Sequence, residues 1–200
     1  MRIVGGIFKG RRLMAPAGYD VRPTGDRTRE SLFNIITHGL AGWEGELEDA
    51  SVVDLFCGTG ALGLEALSRG AAHVTLVDNS VSVLSAVQKN LALGIDTAKR
   101  TTVLKMDATR LAPPPRAVEA PCAIAFLDPP YGSGLAMPAL GSLKTRGWLA
   151  DGGLAVVEVG SEESPNPPFG YTVLMTRSYG AAKIVFLLLR TSEPLTKSSI

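Results

Sequence analysis

Asp54-Leu55-Phe56-Cys57-Gly58-Thr59-Gly60-Ala61-Leu62-Gly63 joins a β-branched, apolar run, Ser51 to Leu55, to a helix-forming stretch, Ala61 to Arg69, which Gly70 ends. A strand that turns through glycines straight into a helix opens a βαβ unit, and Gly58, Gly60 and Gly63 fall in the G-x-G-x-x-G spacing of nucleotide-binding turns. Working outward, His73 to Val77 reads as the second strand and Ser80 to Leu93 as an amphipathic helix. Thr101 to Lys105, Ala123 to Leu127 and Leu154 to Val159 are further short strands bounded by turn formers, and Pro138 sits in the first turn of another helix. Strands alternating with helices predict a parallel sheet. Tyr171 to Ser178 and Lys183 to Arg190 are too close in sequence for a helical crossover, so they are expected to pair as an antiparallel hairpin.

The N-terminal part differs in kind. Arg2 to Leu13, punctuated by Gly5, Gly6 and Gly10, predicts a small hairpin that carries Lys9, Arg11 and Arg12. Thr24 is the expected N-cap of a helix with Leu32, Phe33, Ile35 and Ile36 on its apolar side, Gly39 at its end, and Arg27 and Arg29 on display. Residues 1–37 hold seven Arg or Lys against three acids, so a +4 leader precedes a remainder of −3 within a chain of net +1. That asymmetry suits an arm that meets phosphates, although a solvated basic face has the same composition. Two hundred residues, 46% apolar, suffice for one α/β core with an appendage. The expected division is a basic extension over 1–39, a catalytic domain over 40–190 and a tail over 191–200.

Two cysteines, Cys57 and Cys122, without paired spacing, predict neither a disulfide framework nor a metal site. The start lacks a signal-peptide apolar run, and no stretch reaches the roughly 18 apolar residues of a membrane span. A cytoplasmic protein, away from membranes and monomeric, is the expectation.

The glycine turn alone leaves two cofactors open. Asp78 follows Gly58 by 20 residues, the distance at which a dinucleotide fold places its ribose-binding acid, so a nicotinamide-dependent oxidoreductase fits the spacing. Asp54 discriminates: a pyrophosphate wants a helix N-terminus without a neighbouring carboxylate, whereas S-adenosylmethionine has no phosphate and carries an ammonium and a sulfonium. Asp107 follows the Thr101 to Lys105 strand and is a candidate acceptor for an adenine amine. Any one of these acids is ordinary turn chemistry. Three at successive strand ends beside a glycine loop point to a cofactor.

Asp128-Pro129-Pro130-Tyr131 follows the Ala123 to Leu127 strand and therefore projects from the same sheet edge. An exocyclic amine on a base is a poor nucleophile because its lone pair is delocalised into the ring. The Asp128 carboxylate and the Pro129 carbonyl can accept from its two N–H groups, expose that lone pair, and stabilise the charge that develops on nitrogen. Tyr131 offers a face on which an extruded base stacks, worth about 1 to 3 kcal/mol. Taken with the glycine loop, the motif predicts methyl transfer to a base amine.

On these residues, together with Met1-Arg2-Ile3-Val4-Gly5-Gly6, Lys9 to Leu13, Arg22-Pro23-Thr24, Asp26 to Asn34 and Gly60 to Gly70, the chain resembles the bacterial RsmD-like methyltransferases that modify guanine N2 in small-subunit (16S) ribosomal RNA. The resemblance implies a Rossmann-like class I methyltransferase fold: a seven-stranded, mostly parallel sheet with an antiparallel last strand, preceded by the small hairpin and helix. It implies S-adenosylmethionine as donor, a 30S subunit or assembly intermediate as partner, and catalytic roles for Asp128 and Tyr131, which the carbonyl of Pro129 joins in the candidate catalytic set. The implied cofactor residues are Asp54, Gly58, Gly60, Asp78 and Asp107, and Phe56, Asn79 and Ala108 beside them complete the candidate cofactor set. Arg11, Arg12, Arg22, Arg27 and Arg29 are the implied RNA contacts, with Lys9 a further candidate beside them. The alternatives carried forward are a DNA adenine or other amino-methyltransferase, the oxidoreductase, and a non-enzymatic RNA-binding protein. A DNA enzyme would need a further recognition segment to read base edges.

Overall fold

A computed structural model describes residues 1–15, 25–92 and 97–191. The expected N-cap Thr24, the RNA contact Arg22, the helix end at Leu93 and most of the tail lie outside the described residues. Helix α1 covers Asp26–Thr37 with Gly25 at its N-cap. Then follow β1 (Ser51–Leu55), α2 (Ala61–Ser68), β2 (His73–Asp78), α3 (Val81–Leu91), β3 (Thr101–Lys105), β4 (Cys122–Leu127), α4 (Ala136–Thr145), β5 (Leu149–Gly160), β6 (Tyr171–Tyr179) and β7 (Ala182–Leu189).

The seven strands form one sheet in the order β3-β2-β1-β4-β5-β7-β6. Pairing is parallel from β3 through β5, and β7 runs against both β5 and β6, so the expected reversed last strand is present. Strand order reverses between β1 and β4, the switch point outside which ligands bind in open α/β sheets.

Both faces of the sheet are covered, which is why the parallel strands read as continuous apolar runs. On one face Val52, Val74, Leu76, Ile124 and Phe126 pack against α1, α2 and α3; on the other Val53, Leu55, Val77, Ala125 and Leu127 pack against α4 and Trp148. Ile3, Leu13, Leu32, Phe33 and Ile36 of the N-terminal part belong to the first of these clusters. Phe33 and Phe126 are fully buried with ring centroids 5.5 Å apart, each contributing about 1.5 to 3 kcal/mol by burial.

Two expectations are refined. Strand β5 begins at Leu149, not Leu154, because Gly152 and Gly153 sit in an irregularity: Cys122 pairs with Leu149 and Ile124 with Leu154. The N-terminal hairpin is present but short: Arg2 bridges Arg12, and Ile3 N–H to the Arg11 carbonyl (2.9 Å), Gly10 N–H to the Ile3 carbonyl (2.8 Å) and Leu13 N–H to the Met1 carbonyl (3.0 Å) close it around a 3-10 turn at Gly6–Phe8. Two further N–H groups of the hairpin anchor it to α2: Val4 N–H donates to Glu65 Oε2 at 2.8 Å and Phe8 N–H to Ser68 Oγ at 2.9 Å. Among the described residues no helix is long and apolar enough to cross a membrane.

Candidate active site

Strand register builds the site. Leu55 pairs with Val77 and with Leu127, and Leu127 pairs with Val157. One residue further, at the carboxyl rim, the row across β2, β1, β4 and β5 therefore reads Asp78, Phe56, Asp128, Glu158. Adjacent strands lie about 4.8 Å apart, which puts Asp128 about 10 Å along the row from Asp78. A cavity of about 520 Å³ opens along this row, and Asp54, Phe56, Gly58, Asp78, Asn79, Asp128, Pro129 and Tyr131 all line it. The glycine loop and the Asp-Pro-Pro-Tyr motif thus face each other across one pocket.

The loop is shaped by left-handed backbone at Gly58 (φ 54°) and Gly60 (φ 78°), conformations that glycine adopts without a Cβ penalty. Phe56 also has positive φ, 59°, a conformation rare for a bulky residue and costing about 1 to 3 kcal/mol. The Asp78 carboxylate braces the loop, accepting from Gly58 N–H at 3.3 Å and Ser80 N–H at 2.9 Å.

Asp54 is 1% exposed, and its Oδ2 accepts from Gly63 N–H at 2.9 Å in the first turn of α2. A helix N-terminus attracts anions; here the protein's own Asp54 carboxyl occupies that place and already takes the Gly63 N–H that a pyrophosphate would need. Burial pushes the Asp54 carboxyl up to about 7, the charge of Asp78 adds to the rise, and the Gly63 N–H opposes it.

Tyr131 Oη donates to Glu158 Oε1 at 2.5 Å, and Glu158, 6% exposed, lines the same cavity. The sequence pattern does not single out Glu158. The signal available is its place at the end of a fifth strand, which the blurred start of β5 obscures. Met1 is another lining residue outside the expected set: Thr59 Oγ1 donates to its Sδ at 3.1 Å.

Several expected residues lie elsewhere. Asp107 is exposed and outside the lining; its Oδ1 accepts from Thr109 Oγ1 at 2.7 Å and Thr109 N–H at 2.9 Å, which hold the carboxyl below its ordinary range. Ala108 is buried in the core below, and Gly60 serves the turn as N-cap of α2 without lining the cavity.

Arg29 corrects the expectation of a solvent-facing RNA contact, because it is 1% exposed. Its guanidinium pairs with Asp26 at 2.9 Å and lies 3.7 Å from buried Glu65, and it donates to the Arg2 carbonyl at 2.5 Å. It binds the N-terminal segment to α1 and α2. Lys9, Arg11, Arg12 and Arg27 are exposed. Leu13, next to Arg12, donates from its N–H to the carbonyl of Met1 at 3.0 Å, so the basic segment starts at the cavity wall.

Comparison with known proteins matches residues 1–188 to the family described as Conserved hypothetical protein 95. This chain belongs to that family. It is 39% identical over 158 residues, 79% of this chain and 74% of the relative, to ribosomal RNA small subunit methyltransferase D of Escherichia coli K12. The Haemophilus influenzae protein of the same name is 30% identical over 180 residues, 90% of this chain and 89% of the relative. Among solved structures, Escherichia coli yhhF superposes with a TM-score of 0.77 at 34% identity, covering 96% of this chain and 99% of that one.

Proposed function

We propose that this protein is an S-adenosylmethionine-dependent methyltransferase that modifies the exocyclic N2 of a guanine in 16S ribosomal RNA, within a 30S subunit or an assembly intermediate, in the cytoplasm. One observation carries the reading: the glycine loop and Asp128-Pro129-Pro130-Tyr131 line one cavity, with Asp78 and Asp128 in one register row. Membership of a family that includes small-subunit rRNA methyltransferases supports RNA as the acceptor.

The donor set fits the cofactor. Asp78 is the acceptor for ribose hydroxyls, Gly58 allows close backbone approach, and Asp54 places a carboxyl where an ammonium is to be held, a cation whose charge would favour its ionised form. S-adenosylmethionine supplies an electrophilic methyl group. Asp128 accepts a hydrogen bond from the target amine, the Pro129 carbonyl accepts a second, and together they aim the nitrogen lone pair and stabilise the positive charge that grows there. Two successive prolines fix both acceptors. Tyr131 provides the stacking face, held at its phenol by Glu158. Residues 1–39 act in this reading as an RNA-binding extension, with Lys9, Arg11, Arg12 and Arg27 toward the phosphates, on a catalytic domain over 40–190.

The test is incubation with methyl-labelled S-adenosylmethionine and small subunits lacking the modification, followed by mapping of the labelled nucleoside. Label on one guanine N2 is the expected result. Label on an adenine amine, or transfer only to DNA, contradicts the assignment.

A further inference from the structure

We propose that Glu158 selects the base, accepting from the N1–H of guanine beside the amine that Asp128 engages. The inference rests on the methyl-transfer reading and adds a specificity-determining residue to it. Glu158 stands next to Asp128 in the register row, one strand further from the cofactor acid Asp78, and it lines the cavity. The order along the rim is therefore cofactor acid, amine acceptor, then a second carboxylate at the distal end, where the body of the base must lie.

The chemistry of the amino-bearing bases makes that placement discriminating. The exocyclic amine of adenine is flanked on its Watson–Crick side by N1, a bare acceptor, and that of cytosine by N3, also bare. Only guanine places a ring N–H beside its amine. A carboxylate oxygen accepts hydrogen bonds, and Oε1 of Glu158 takes the one from the Tyr131 phenol. Guanine gives it a donor, whereas adenine or cytosine sets a lone pair against it, and a mostly buried carboxylate has little water with which to compensate. The short Tyr131 to Glu158 hydrogen bond also fixes the stacking ring relative to the reading carboxylate, so stacking and edge recognition share one frame.

The decisive probe is 2-aminopurine, which keeps the 2-amine but has a bare N1. Small subunits reconstituted with guanine or 2-aminopurine at the mapped target are compared as substrates for the full-length wild type and for Glu158→Gln, with S-adenosylmethionine affinity measured in parallel. Wild type is expected to prefer guanine by at least about a hundredfold in kcat/KM, a floor below the roughly 10⁴- to 10⁵-fold lost when a hydrogen-bonding site meets an analogue lacking its partner. Glu158→Gln should narrow that ratio at least tenfold and leave cofactor affinity within about threefold. A wild-type ratio near one overturns the proposal whether or not the variant folds, and an unchanged ratio in a variant that binds cofactor overturns it too. If wild type methylates no guanine in ribosomal RNA, the functional reading falls, and this inference with it; guanine methylation without discrimination leaves the functional reading standing alone.

Discussion

Asp78 and Asp128 stand in one register row at the carboxyl rim of the sheet, two strands apart, and both line the same cavity. The strand between them, β1, ends in the glycine loop. Hydrogen-bond register therefore fixes the spacing of the cofactor acid and the amine acceptor, and backbone ladders are the most rigid ruler a fold provides.

Asp54 should leave a pH signature on stability. Its folded carboxyl is raised to about 7 from an ordinary 3.8, so the folded state holds a proton that the unfolded chain releases. The stabilisation is fully present below about pH 4 and is lost as pH rises through 7. Between pH 5 and pH 8 wild type should lose on the order of 2 kcal/mol relative to Asp54→Asn, read from urea unfolding. A stability difference that stays constant over this range contradicts the buried, protonated Asp54.

The third glycine of the loop packs the helix onto the sheet. A Cβ at Gly63 would lie 2.5 Å from Leu76 Cδ2 and 2.8 Å from Val74 Cγ1, both fully buried on β2, and 3.2 Å from Asp54 Oδ2. Gly63→Ala is expected to lower stability by about 1 to 3 kcal/mol through overpacking and to weaken S-adenosylmethionine binding. An unfolding midpoint equal to wild type would show that α2 shifts freely on the sheet.

Two groups of arginines should behave in opposite ways. Arg29→Ala removes the partner of a fully buried Glu65, which Arg69 still holds at 2.8 Å, and should cost about 3 kcal/mol of stability. The double variant Arg11→Ala, Arg12→Ala should leave the unfolding midpoint unchanged. It should instead flatten the salt dependence of RNA binding, by about 0.7 in the log–log slope for each phosphate that is no longer neutralised. A stable Arg29→Ala, or an unchanged slope in the double variant, would refute the corresponding half.

Much of this was legible in the sequence because backbone rules are local. The glycine spacing, the apolar strand runs and the short gap before the last hairpin give the sheet, its reversal and the rim from which the motifs project. What stayed hidden depends on which partner captures each side chain. Arg29 reads as a surface charge until Glu65, 36 residues later, is placed against it. Asp107 resembles its fellow strand-end acids, but Thr109 two residues on captures its carboxylate. Glu158 becomes a site residue only through the pairing of β4 with β5. The hairpin from Arg2 to Leu13 was legible from its glycines, but its anchoring to α2 through Val4 N–H on Glu65 and Phe8 N–H on Ser68 was not.

The most direct measurement is single-turnover methyl transfer to unmodified small subunits by Asp128→Asn, with S-adenosylmethionine affinity determined on the same preparation. Asparagine keeps the shape but not the charge, so transfer should slow by about 10²- to 10³-fold while cofactor affinity stays within about threefold of wild type. Transfer within about threefold of the wild-type rate would contradict the assignment of Asp128 as the group that engages the target amine.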